Sequence, residues 1–165
     1  MYLFTSIFIL QLLLILILYC TLTIFSLRKG PRGLIQHYPP EIQTHAVLLA
    51  EVTRGFIITK EKILRPLTLL IYSVGIILIT SFFNEYMGFL PLFIHTLIFL
   101  QILNWADGLI LECILLRHCE KLMIPGTETL LKSSPCSFFL KRKLIHGLIL
   151  IPYAVLLTFV VVLIS

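Results

Sequence analysis

The chain has 165 residues, of which 59% are hydrophobic and 13% charged, with a formal net charge of +5 and a mean hydropathy of +1.04. A soluble domain carries about 25% charged residues, and one this small has too little interior to hide so many apolar side chains. A soluble fold is therefore excluded, and the partner that the composition calls for is a lipid bilayer, whose hydrocarbon accepts apolar surface. The positive balance does not point to nucleic acid, because the basic residues are confined to segments between apolar spans.

The first apolar span covers residues 3–27. No Lys or Arg precedes it, and it is much longer than the h-region of a signal peptide, so it is expected to stay as a transmembrane helix. Tyr19 is too large for the small residue that a lipoprotein site would place before Cys20. Residues 28–63 form the first loop. Gly30-Pro31-Arg32-Gly33 opens it as a turn-rich stretch, and Pro40 is placed to start a helix. Ile42, Ala46, Leu49 and Ala50 fall near helical spacing, which predicts a short surface helix from Glu41 to Val52, ended by Gly55. Thr59 is then expected to cap a helix that runs through Lys60-Glu61-Lys62 into the second span, kinked near its entry by Pro66.

The second span covers residues 64–83 and the third 89–116, joined by a turn at 84–88 so short that the two must be antiparallel neighbours. A second loop, 117–143, holds two irregular stretches, around Pro125-Gly126 and at Ser133-Ser134-Pro135, and the fourth span covers 144–164. Each span is long enough, at about 1.5 Å per residue, to cross roughly 30 Å of hydrocarbon. All 13 Lys and Arg residues lie in or at the edges of the two loops. The positive-inside rule then puts both loops in the cytoplasm and both termini outside. The expectation is a single all-α integral membrane domain, 1–165, with four transmembrane helices and a short cytoplasmic surface helix, in the plasma membrane.

The four cysteines, Cys20, Cys113, Cys119 and Cys136, show no CxxC or Cys/His zinc spacing. The last three map to the cytoplasmic face, where thiols stay reduced, so no structural disulfide is expected. No motif of metal-ligand spacing occurs, no resident metal is predicted, and nothing in the sequence implies a cofactor. Walker, GxGxxG and GxSxG motifs are also absent.

The third span carries the polar residues that need explaining. Gln101, Asn104, Asp107, Gly108 and Glu112 share an arc of about 140° at 100° per residue, and His118 joins them if the helix continues. Asp107 lies about 27 Å along the helix from residue 89, near the cytoplasmic interface. Lipid cannot solvate such a stripe, so it must face other helices or water. Its carboxylates could hold a divalent cation, bind a basic partner or perform acid–base work. The bland alternative is a stripe salt-bridged to Arg28, Arg65 or Lys143. His37, His45, His118 and His146 map to the cytoplasmic face and His95 to the outer half; a lone histidine there is more often a satisfied interface residue than a ligand. Trp105 reads as an aromatic-belt residue, and Gln11 and Pro152 as helix-contact and kinking positions.

Gly30-Pro31, His37-Tyr38-Pro39-Pro40-Glu41-Ile42-Gln43, Thr59-Lys60-Glu61, Asn104-Trp105-Ala106-Asp107-Gly108, Ile124-Pro125-Gly126-Thr127-Glu128 and His146 together resemble the pattern of a family of small bacterial four-helix membrane proteins. The resemblance covers most of residues 30–146 and implies the fold and the residues of interest, but names no substrate. Arg117-His118 is also similar to part of the RHPxY stretch of isoprenylcysteine-type membrane methyltransferases, although Cys119 stands where that stretch has Pro and no C-terminal Arg-x-Pro follows.

Three functions stay open: an enzyme or binding protein for a lipid-like substrate at the cytoplasmic leaflet, a non-catalytic component that binds a membrane protein partner, and a small proton or cation carrier. The site expected from the sequence has Asp107, Glu112 and His146 as candidate catalytic groups. Asn104, Asp107, Glu128, His37 and Tyr38 are its candidate binding groups, under a lid formed by residues 37–40 and 124–128. The topology is directly testable. Cysteines introduced as Glu85→Cys and Ser133→Cys should label from opposite sides of the membrane, and labelling of both from one side would overturn the four-span reading.

Overall fold

A computed structural model describes residues 2–83, 88–133 and 136–164. The turn expected at 84–88, apart from Gly88, together with Ser134-Pro135 and the side chain of Arg65, lies outside the described residues. The chain is all-α, with no strand among the described residues. Its helices are α1 (Tyr2–Leu27), α2 (Pro40–Leu48), α3 (Arg54–Phe83), α4 (Phe89–His118), α5 (Glu128–Ser133) and α6 (Cys136–Ile164), with short 3₁₀ turns at Gly30–His37 and Glu120–Leu122. Four of them, α1, α3, α4 and α6, are long and apolar enough to cross a membrane.

These four form a bundle in which α4 packs most extensively on α6, and α1 on α3. Ile15, Tyr19, Ile76, Phe99, Leu103, Ala154 and Leu157 fill its centre. The outer surface is equally apolar: Leu78, Leu148 and Leu163 are each about two-thirds exposed or more. In water that surface would be strongly unfavourable at roughly 25 cal/mol per Å². Two buried hydroxyls turn back on their own helices: those of Thr80 and Thr158 donate to the Ile76 and Ala154 carbonyls at 2.6 and 2.8 Å. Gln11 is fully buried, and Pro152 lies within α6.

A second apolar cluster caps the basic end of the bundle. Leu34, Ile35, Tyr38, Ile42 and Ala46 from the first loop pack on Leu116, Leu122, Ile124 and Leu131. The surface helix is thus present but shorter than expected. Its buried positions, Ile42 and Ala46, face protein, while Leu48 and Leu49 are exposed. It ends at Ala50 (φ 57°), with the Glu51 N–H bonded to the Ala46 carbonyl in the manner of a Schellman turn. The next helix starts earlier than expected. Thr53, not Thr59, is the cap and accepts from the Phe56 N–H at 3.2 Å. Gly55 lies inside this helix, and the Thr59 hydroxyl donates to its carbonyl.

Two wide, π-type turns interrupt the long apolar helices. One, Lys60–Leu64, directly precedes Pro66 in α3. Proline has no N–H for the usual bond and its ring crowds the carbonyl one turn back; the wider turn relieves that conflict where the sequence predicted a kink. The other, Asp107–Leu115, holds the polar end of α4. Such turns often mark functional positions.

Cys113 and Cys136 form a disulfide, with their Cα atoms 5.7 Å apart. This corrects the expectation of reduced thiols. The pair is 23 residues apart in sequence, and only the packing of α4 against the start of α6 brings it into the range a disulfide requires. Cys20 and Cys119 are free. Thiol counting on the denatured, unreduced protein should therefore return two reactive cysteines; four would overturn the bridge.

Candidate functional site

The polar arc of α4 faces α6 and is met rung by rung along their seam, although Glu112 Oε2 and Arg142 Nε are buried without a hydrogen-bond partner. Gln101 Nε2 donates to the Gly147 carbonyl and Asn104 Nδ2 to the Lys143 carbonyl, each at 2.8 Å. Lys143 pairs with Asp107, and Arg142 with Glu112. Lys143 also lies 3.4 Å from Glu112. Gly108 makes room for this arrangement: a Cβ there would stand 2.7 Å from Lys143 Cγ. Glu112 is fully buried, and the Lys143 side chain is only 3% exposed. Charges this deep must be paired, since removing one partner strands the other in a low dielectric.

His37 enters from the first loop. Its Nδ1 lies 3.2 Å from Glu112 Oε1 and 3.7 Å from Asp107 Oδ2. A carboxylate can only accept, so Nδ1 carries the proton and, in the neutral ring, Nε2 is left as the acceptor. The 3₁₀ turn that delivers His37 is fixed at several points. Gly33 sits against the Ser26 carbonyl, where a Cβ would collide, and Lys60 Nζ donates to the Gly33 carbonyl at 3.1 Å. Gln43 Nε2 donates to the carbonyls of Ile35 and Tyr38, each at 3.1 Å.

Tyr38 is fully buried and its hydroxyl donates to the Leu122 carbonyl, tying the two loops together. Burial, reinforced by nearby Cys119, pushes that hydroxyl well above its ordinary range, so it remains a donor at any physiological pH. Tyr38 is thus a fastening of the cap, not a group facing the cluster. Glu128 is not brought to the cluster either. It is exposed and accepts from the Gly126 N–H at 3.2 Å, closing the Pro125-Gly126 turn. The helix continues to His118, which is exposed.

Beside the cluster opens a cleft of about 680 Å³. His37, Asn104, Asp107, Lys143 and His146 line its polar end, and His146 follows Lys143 by one helical turn. Its long walls are apolar, with Leu67 and Ile71 from α3, Leu100 and Leu103 from α4, and Ile149 from α6. Lys60 and Lys29 also line it. Lys60 falls in the Thr59-Lys60-Glu61 stretch that carries the family resemblance, but no spacing places it in a cleft, and Arg142 reads only as part of the Lys141-Arg142-Lys143 anchor.

His37, Asp107 and Glu112 each offer a ligand atom, all within 4.8 Å of one another, a set able to hold a metal ion. The sequence shows no such motif because the histidine is supplied by a distant loop. Lys143 and Arg142 already contact the same carboxylates, so a metal would have to displace two cations. No family model, curated protein or solved structure matches the chain; the functional reading therefore rests on geometry.

The Asp107–Lys143 pair has a measurable consequence. Asp107→Asn leaves Lys143 buried with Glu112 as its remaining carboxylate, and should destabilise the detergent-solubilised protein by about 3 kcal/mol. Asp107→Asn combined with Lys143→Met should recover part of the lost thermal stability. An Asp107→Asn variant as stable as the parent would show that the pair does not hold α4 to α6.

Proposed function

We propose that this chain is a multi-pass protein of the plasma membrane that binds an amphipathic, lipid-like substrate in the cleft. One observation carries the reading: a long apolar wall ends on a compact polar cluster, and the two are parts of one cavity. Most ligand sites are mainly apolar with a few placed polar groups. Here the apolar part reaches Phe25 and Leu67, which are 60% and 46% exposed, so the cleft is open at its apolar side. A lipid can enter from the side without crossing water.

The polar end supplies acid–base capacity. His37, held by Glu112 through Nδ1, presents the pairing of an imidazole with an orienting carboxylate that general bases use. His146 stands in the same cleft as a second titratable group. A proton or cation relay through Asp107 and Glu112 has less support, because both carboxylates are engaged by Lys143 and Arg142.

Native mass spectrometry of the detergent-extracted full chain should find a retained lipid. Leu67→Trp, which fills the mouth of the cleft, should lower its occupancy severalfold without changing the yield of folded protein. Absence of retained lipid, or occupancy indifferent to Leu67→Trp, would overturn the reading.

A further inference from the structure

Charge along the cleft is unevenly compensated. Lys29, Lys60 and Lys143 line it with Asp107 as its single carboxylate. Asp107 is taken by Lys143. Lys60 is 9% exposed, yet among the described residues no carboxylate lies within ion-pair distance of it. Its ammonium makes one hydrogen bond, to the Gly33 carbonyl, and stands 5.6 Å from the Phe56 ring. An ammonium has three donors, so two remain to be used. Lys29 is exposed, 4.9 Å above the Phe25 ring, and its charge adds to that of Lys60 instead of offsetting it. A buried cation without a counter-charge is unfavourable. Lys60 therefore brings a positive charge with spare donors to the wall of an otherwise apolar cleft.

We propose that the cleft takes an anionic membrane lipid, whose negatively charged head group is held between Lys60 and Lys29 while an acyl chain lies along the wall from Leu67 to Ile149. This deepens the lipid-binding reading and rests on it. The placement fits the chemistry of the head group. Lys60 is carried on the wide turn of α3, near the end of the bundle where the basic residues gather. The apolar lining runs from there toward the bundle centre through Leu67, Ile71 and Leu100. His37 lies in the same lining.

The test uses the full chain in neutral detergent, equilibrated with equimolar dioleoyl phosphatidic acid and dioleoyl phosphatidylcholine and read by native mass spectrometry. The parent should retain the phosphatidic acid in preference by about tenfold or more, the ratio that 1.4 kcal/mol sets. Lys60→Gln and Lys29→Gln should each lose most of that preference, and Lys60→Arg, which keeps the charge, should retain it. Lys121→Gln, an exposed cation outside the cleft, should leave it unchanged. Because Lys29 is on the surface, its variant keeps the test meaningful if Lys60→Gln fails to fold. Equal retention of the two lipids, or a preference untouched by both glutamine variants, would overturn the charge assignment while leaving lipid binding standing. No retained lipid would overturn both readings. Displacement of the bound lipid by millimolar inorganic phosphate, or capture of phosphate with no lipid, would overturn a membrane lipid as the source of the anion.

Discussion

The pairing of Asp107 with Lys143, and of Glu112 with Arg142, is the constraint on which the rest of this structure depends. Four charges inside an apolar bundle are tolerable only when each meets its opposite, because the attraction that rewards pairing and the penalty for failing to pair both grow as water is excluded. The two pairs fix α4 against α6 in register. Gln101 and Asn104 then reach carbonyls of α6 at the rungs above, and Gly108 yields the space the lysine stem needs. The disulfide between Cys113 and Cys136 closes the same seam covalently.

The same network decides what the polar groups are able to do. Glu112 is committed to Arg142 and His37, so it orients a histidine instead of acting as a free acid. Asp107 is bound to Lys143 and lends the cleft little net negative charge. The consequence is a cavity whose spare charge is positive and whose walls are apolar, although the most conspicuous polar residues in the sequence are acidic. A carboxylate on a transmembrane helix invites a cation-carrying interpretation; its partners on the neighbouring helix redirect the inference toward an anionic amphiphile.

The loops contribute position more than chemistry. The 3₁₀ turn at Gly30–His37, α2 and the Glu120–Leu122 turn form one small apolar cap, fastened by the Tyr38 hydroxyl to the Leu122 carbonyl and by Gln43 to two carbonyls. That cap presents His37 to α4. Residues of the loop segments thus divide into two kinds: His37 reaches the cluster, while Tyr38, Pro125-Gly126 and Glu128 shape the cover.

The sequence by itself determined the four apolar helices, because hydrophobicity sustained over some twenty residues is a local property that needs no tertiary information. It also determined that Gln101, Asn104, Asp107, Gly108 and Glu112 share a face and must turn away from lipid, since helical periodicity alone places them there. Tertiary structure decided which groups meet that face. Lys143 and Arg142 approach it from α6 and His37 from a loop, each separated from its partner by 30 residues or more in the chain, and no spacing rule connects such positions. Their selection depended on the phase of α6 against α4, on the wide turn at Asp107–Leu115 that local propensity does not encode, and on which buried charge found its counter-ion. Lys60 shows the limit most plainly: read along the chain it is one cation among 13, and only the tertiary structure buries it beside an apolar cleft with no carboxylate among the described residues within ion-pair distance.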